Sequence, residues 1–296
     1  MTNNLPPVAS PARTRAIMEE FGFHTKKHLG QNFLTNTDVL KRIVAAGDVT
    51  DADDVIEIGP GIGALTEYLA ASAHQVLALE IDTALLPVLA QTMGPYPNVA
   101  VENEDVLKAD LPALIAKHFD GQHNIKVVAN LPYYITTPIL MHLLSTDIQI
   151  AGITVMMQKE VASRLTAEPR SKDYGSLSIA VQNVADVEVA FTVNRNSFVP
   201  APNVDSAIVV LHMRDEPLAV IDDQQAFDKL VKGAFAARRK TIWNNLVHLY
   251  GKQPEAKEAI QRALEESDVD PQARAEQLSI KKFAELQQNL EKNDLA

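Results

Sequence analysis

A chain of 296 residues, 46% of them hydrophobic, has room for one large α/β domain and a smaller second one, and holds no apolar run near the ~18 residues that span a bilayer. It has no cysteine, which excludes disulfides and thiolate metal sites and fits a reducing, cytoplasmic setting. The formal net charge of −11 argues against a phosphate-rich partner until its distribution is read: residues 43–155 carry 14 acidic side chains against 3 basic ones, and the remainder holds 24 of each.

Residues 1–20 mix Pro, Arg and Glu and lack the apolar centre of a signal peptide. Arg13, Arg15, Lys26 and Lys27 form an early basic cluster. Residues 37–47 read as a helix: Asn36 or Thr37 can cap it, Val39, Leu40, Ile43 and Val44 share one face, and Gly47 can end it. Runs rich in Val, Ile and Leu at 55–58, 76–79, 99–101, 125–129 and 153–157 then alternate with helical stretches at 64–71, 83–93, 111–118 and 138–144. Such alternation predicts a parallel sheet with helices on both faces, and the unbroken apolar character of the strands suits burial on both sides. A helix over 175–184 precedes two extended runs, 187–193 and 207–213, joined by a Pro-rich link at 196–205. Without a helix between them, these two predict antiparallel neighbours at one sheet edge. From Asp215 the pattern is helical, with segments at 227–237, 242–250, 255–266 and 280–290. The division predicted is a sheet domain over 1–214, with a helical lead-in over 1–50, and a small all-helical domain over 215–296. A second basic cluster, Arg238, Arg239 and Lys240, opens the stretch 235–250, which has no acidic residue.

The first strand runs into Glu57, Ile58, Gly59, Pro60, Gly61, Ile62 and Gly63, a turn whose backbone can approach a ligand closely. Glu80 closes the second strand 21 residues after Gly59, near the spacing of a ribose-binding carboxylate. A Walker loop is excluded, since no Lys-Ser or Lys-Thr follows. A plain structural turn and a nicotinamide-dinucleotide fold both remain open, because Gly59, Gly61 and Ala64 meet the loose G-x-G-x-x-G/A pattern. A nucleoside cofactor without pyrophosphate is favoured by Glu57 before the glycines and by the acidic surroundings, which attract a cation. S-adenosylmethionine, with its sulfonium and ammonium, matches. Asp105 follows the third strand, where it is either a solvated loop carboxylate or an acceptor for the exocyclic amine of the cofactor's adenine.

The fourth strand ends in Asn130, Leu131, Pro132, Tyr133 and Tyr134. With this motif the chain resembles the ribosomal RNA adenine dimethyltransferases, and among them the bacterial small-subunit (16S) branch. The resemblance spans nearly the whole chain, through Leu29 to Leu34, Glu57 to Thr66, Glu80 to Asp82, Asp105, Asn130 to Tyr134, Gln158 to Ala162, Asn196 to Ser206 and Phe235 to Ile242. It departs at Glu104, where the family usually has Gly. The resemblance implies a Rossmann-like S-adenosylmethionine-dependent methyltransferase sheet, mostly parallel with one antiparallel edge strand. It implies cofactor-binding roles for Asn32, Leu34, Gly59, Gly61, Glu80, Asp105 and Asn130, and a monomer whose partner is 16S rRNA in the small subunit or its precursor.

The chemistry of the motif can be argued from the residues. An adenine amine is a poor nucleophile because its lone pair is delocalised into the ring. Acceptors that take both amine hydrogens let the nitrogen pyramidalise; the Asn130 side-chain carbonyl and the Leu131 backbone carbonyl can serve, with Pro132 restricting Leu131. Tyr133 and Phe198 can stack on a base that has left its helix. Phe33 reads as a lid or core residue and Trp243 as packing, and the eight histidines show no metal-binding spacing, so no metal is expected. Competing functions are a 23S rRNA adenine methyltransferase of the antibiotic-resistance type, a non-enzymatic assembly or transcription factor on the same fold, and a nicotinamide oxidoreductase.

Overall fold

A computed structural model describes residues 6–22 and 30–295; Lys26, Lys27 and Leu29 lie outside the described residues. The chain forms two compact units, one running to Ala162 and resuming over Asp186–Met213, the other comprising Ser163–Ala185 and Arg214–Ala296. No helix among the described residues is long and apolar enough to cross a membrane.

The first unit opens with α1 (Pro11–Glu20), inside the helical lead-in expected over 1–50; Ser10 caps it and Pro11 sits at its first turn. Two-residue β1 (Phe33–Leu34) leads to α2 (Thr37–Ala46). The Asn36 side chain accepts from the N–H groups of Asp38 and Val39 at 3.1 and 3.2 Å, which fixes where α2 starts. Then β2 (Asp53–Ile58), α3 (Thr66–Ala70), β3 (Gln75–Leu79), α4 (Leu86–Met93), β4 (Val99–Glu102), α5 (Leu111–His118), β5 (Asn124–Asn130), α6 (Thr136–Leu144) and β6 (Ile150–Gln158) alternate as the apolar runs predict. After α7 (Lys159–Leu165) and α8 (Ser176–Val184) come β7 (Ala185–Val193), β8 (Phe198–Val199) and β9 (Ser206–Met213).

Seven strands form one sheet in the order β4-β3-β2-β5-β6-β9-β7. Pairings from β4 through β6 are parallel, and β9 runs antiparallel to β6. The antiparallel strand is therefore not at the edge, as expected, but one strand in; β7 holds the edge. Side-chain character explains the exchange. The unbroken apolar run of β9 is buried from Ser206 to Leu211, whereas β7 alternates with Asp186, Glu188 and Thr192 and is largely exposed.

The second unit adds α9 (Gln224–Ala234), α10 (Ile242–Tyr250), α11 (Pro254–Glu266) and α12 (Ile280–Lys292). Helix α9 stops three residues before the expected 237, where the Asn245 side chain donates to the Ala234 and Ala237 carbonyls at 2.7 and 3.3 Å. The expected boundary at 214/215 falls at 213/214, but residues 163–185, assigned from sequence to the sheet domain, group with the helices. The reason is burial: Tyr174 and Ile179, both at 0% exposure, share one core with Phe227, Leu230, Ile260 and Phe283.

Phe283→Ala opens a cavity in that shared core. It is expected to lower stability by about 3–5 kcal/mol, read by urea denaturation of the folded variant.

Candidate active site

Strand register brings the site together. Ile58 of β2 faces Leu79 of β3 on one side and Ala129 of β5 on the other. The residues that follow, Gly59, Glu80 and Asn130, therefore emerge at the same sheet edge. Successive crossovers leave β2 in opposite directions here, which opens a crevice at the carboxyl ends of the strands. The cleft at this point, open solvent at its mouth included, spans about 880 Å³.

The glycine turn forms its floor. Gly59 and Gly61 have φ of +70° and +60°, a left-handed conformation that side chains rarely adopt. A Cβ at Gly59 would meet nothing within 4 Å, so that face of the turn stands open to a ligand, whereas one at Gly61 would lie 3.1 Å from the Phe33 ring. The turn is tied to β3 by Glu80: the Gly61 N–H donates to Oε2 at 3.1 Å and the Asp82 N–H to Oε1 at 2.8 Å. Burial raises the Glu80 carboxyl, and those two N–H groups oppose the rise. Glu57, 1% exposed, lines the cleft beneath the turn. Burial pushes its carboxyl up to about 8, the nearby Thr66 hydroxyl offsetting part of the rise and the Glu80 charge adding to it. Its Oε2 has no hydrogen-bond partner among the described residues. An orphaned buried carboxyl beside an open glycine turn suits a cationic ligand that donates hydrogen bonds.

The opposite wall begins at Asn130, whose carboxamide has no protein partner among the described residues. The Leu131 N–H donates to the Met156 carbonyl at 3.3 Å, and the Leu131 carbonyl has no hydrogen-bond partner among the described residues. The Pro132 carbonyl accepts from the Ile135 N–H at 3.2 Å and the Thr136 hydroxyl at 3.0 Å, which turns the chain into α6. Tyr133 is fixed by a 2.7 Å hydrogen bond between its hydroxyl and that of Ser206. Burial raises this phenol, and the bond to Ser206 opposes the rise. A second ladder closes the wall: β1 pairs antiparallel with β8, Phe33 facing Val199 and Leu34 facing Phe198. The Asn32 amide donates to the Gly30 carbonyl at 3.0 Å, and Gln31 donates to Asp82 at 2.9 Å.

Of the residues predicted from sequence, Asn32, Leu34, Gly59, Gly61, Glu80, Asn130, Leu131, Tyr133 and Phe198 line this cleft, and Asp105 does not. Asp105 instead accepts from the Leu107 N–H at 3.1 Å and pairs with Lys108 at 3.3 Å. Its loop is nonetheless bound to β3, since Asn103 and Glu104 both donate to the Glu80 carbonyl. Phe33 is a wall residue rather than a lid, 6% exposed beside Gly61. Sequence reasoning missed Gln31, Ile81 and Tyr134; the last two are 53% and 58% exposed. An apolar Ile81 between two acidic residues at a strand end was the available signal.

Among the basic residues of the two clusters, Arg13 lies 3.8 Å from Glu67 in the first unit. In the second unit Arg238 donates to the Tyr174 carbonyl at 2.9 Å and lies 3.5 Å from Glu276, so it is an intramolecular partner. Arg239 and Lys240 are exposed and have no partner among the described residues.

Comparison with known proteins agrees with this geometry. Residues 22–292 match the sequence model of a family described as "Ribosomal RNA adenine dimethylase". The chain is 60% identical over 279 residues to the ribosomal RNA small subunit methyltransferase A of Latilactobacillus sakei, covering 94% of each chain. It is 59% identical over 292 residues to the same-named protein of Ligilactobacillus salivarius, covering 99% of each. Among solved structures, a dimethyladenosine transferase from Plasmodium falciparum superimposes with a TM-score of 0.72 at 27% identity, over 88% of this chain and 98% of that one. The 23S rRNA methyltransferase ErmE superimposes with a TM-score of 0.64 at 28% identity, over 88% and 100%.

The Glu57 carboxyl sets a pH dependence. Its folded value of about 8 lies above the ordinary 4.5, so its contribution to stability is complete below pH 4.5 and is lost as pH rises through 8. Glu57→Gln removes this loss. Without added ligand, the variant's melting temperature should gain on wild type from pH 5 to pH 8 and hold a constant lead above it; parallel curves across that range would refute the assignment.

Proposed function

The chain belongs to the ribosomal RNA adenine dimethylase family, and we propose that it transfers methyl groups from S-adenosylmethionine to the exocyclic amines of two adjacent adenines near the 3′ end of 16S rRNA in the small ribosomal subunit. The observation that carries this reading is the pair of carbonyls, Asn130 Oδ1 and the Leu131 backbone oxygen, that have no partner among the described residues and stand at the rim of an acidic cleft.

The sulfonium of the cofactor supplies the methyl group. Glu57, Glu80 and the Gly59 turn hold its cationic and hydroxyl-bearing parts, and Asn32 and Leu34 cover it. Asp105 takes the amine of its adenine, from a loop tied to Glu80. On the substrate side, Asn130 and Leu131 each accept one hydrogen of the target amine, which frees the nitrogen lone pair. Neutral carbonyls suit this task better than carboxylates, whose charge would be costly to desolvate there. Tyr133, its hydroxyl anchored to Ser206, presents a fixed ring face to the flipped base, and Phe198 supports the far wall. Stacking of this kind contributes about 1–3 kcal/mol per ring, set against an unstacking cost of a few kcal/mol. The methylated amine is cationic and loses its proton to water, so no dedicated base is required. Most of the acceleration comes from alignment.

A 23S rRNA enzyme has the same fold, but the relatives that share more than half of the chain's residues carry small-subunit names, which favours 16S rRNA. Incubation with unmethylated small subunits and labelled cofactor, followed by mapping of the modified bases, tests this. Label on two adjacent 16S adenines supports it; label confined to 23S rRNA overturns it.

Asn130→Ala is expected to reduce the single-turnover rate at saturating cofactor and RNA by roughly 10²–10³-fold, the usual cost of removing one polar group aimed at developing charge. Cofactor affinity should fall far less. A rate within a few-fold of wild type would exclude the amine-orienting role.

For RNA docking, Arg239 and Lys240 are the cations of the late cluster with no side-chain partner among the described residues, whereas Arg238 is held by Tyr174 and Glu276. Replacing both with Ala should weaken binding to the subunit and flatten the slope of log affinity against log salt by about one unit per lost phosphate contact. An unchanged slope would make them ordinary solvated charges.

A further inference from the structure

The sheet edge away from the cleft carries a second cluster. Asp54 lies at the start of β2, His74 immediately before β3 and His123 immediately before β5. The sequence separates the two histidines by 49 residues, so no short spacing announces them. The sheet brings them together: the His74 N–H donates to the Asp53 carbonyl at 2.9 Å and the Asn124 N–H to the Ala52 carbonyl at 3.1 Å.

Asp54 is fully buried. Its Oδ1 lies 2.8 Å from His74 Nδ1, while its Oδ2 is buried with no partner among the described residues. The His123 ring stacks on His74 with centroids 3.7 Å apart and planes 9° from parallel. Asp120 Oδ1 lies 3.0 Å from His123 Nδ1 and orients that ring. One ligand atom from each of Asp54, His74 and His123 lies within 4.8 Å of the other two.

We propose that Asp54, His74 and His123 form a binding site for a divalent transition-metal cation of the zinc type. Two imidazoles and a carboxylate are the donor set such an ion takes, whereas magnesium and calcium prefer oxygen alone. Bonds of about 2.0–2.2 Å in a tetrahedral arrangement set ligand atoms roughly 3.4 Å apart, so the site closes by up to about 1.4 Å, and one ring tilts out of the stack to aim its in-plane lone pair at the ion. The ring able to make that movement is His123, on the loop before β5. The cation supplies what the described residues leave missing, a partner for the buried Asp54 oxygen. Asp120 against His123 is the carboxylate–histidine arrangement that fixes ring orientation and raises ligand basicity. With water completing the coordination, the ion staples the starts of three adjacent strands. It binds the folded state alone and so stabilises it.

Titration of the full, tag-free, EDTA-stripped protein with zinc chloride, by calorimetry and by thermal melting, tests the site. The expected result is one saturable site and a rise in melting temperature, with affinity at least about 10-fold weaker and no rise in His123→Ala. Magnesium chloride should produce neither effect. His74→Ala should behave like His123→Ala; if it fails to fold, His123→Ala decides, since its side chain lies on a loop. No saturable zinc binding, or binding and stabilisation unchanged in His123→Ala, reduces the cluster to a hydrogen-bonded histidine stack and overturns the proposal.

Discussion

The Glu80 carboxylate is the joint on which the cleft depends. Its two oxygens hold the Gly61 and Asp82 N–H groups, one from the turn after β2 and the other from the turn after β3. This couples the two strand ends into one surface and keeps Gly59 and Gly61 in left-handed conformations beneath it. The arrangement places Glu80 and Glu57 almost wholly out of solvent, where two negative charges are costly. Both carboxyls respond by rising above their ordinary range. A ligand with positive charge relieves that cost, and a pyrophosphate would add to it. The electrostatic strain of the cleft thus favours a cationic ligand.

A separate constraint builds the opposite wall. Asn130 and Leu131 arrive with β5, but Phe198 and Leu34 arrive by a two-stranded ladder between segments more than 160 residues apart in sequence. The ladder is extended by the Thr35 N–H and hydroxyl, both donating to the Ser197 carbonyl. Burying β9 inside the sheet brings Ser206 to the Tyr133 hydroxyl. The wall formed by Tyr133 and Phe198 therefore rests on the antiparallel part of the fold, and the wall formed by Gly59, Glu80 and Asn130 on the parallel part.

Charge is divided between the two units. The acidic surplus of residues 43–155 falls within the sheet unit. The helical unit keeps Arg239 and Lys240 exposed, and their neighbour Arg238 instead holds the turn by bonding to the Tyr174 carbonyl. A cluster of three positive charges in sequence thus serves two purposes in space.

The sequence by itself determined the strand–helix alternation, the glycine turn with Glu80 at its set distance, and the Asn130–Tyr133 motif, because periodicity, glycine content and strand-end position are local properties. It also placed α2, since Asn36 and Gly47 mark its ends by their own chemistry. Tertiary structure alone decided the rest. It put β9 inside the sheet and β7 at its edge, because burial of both faces is a competition between segments. It moved residues 163–185 into the helical unit, because Tyr174 and Ile179 find their apolar partners among distant helices. It held the Asp105 carboxylate against the Leu107 N–H and the Lys108 ammonium of its own turn. It gathered Asp54, His74 and His123 at the starts of neighbouring strands, because parallel pairing aligns residues that no sequence interval connects.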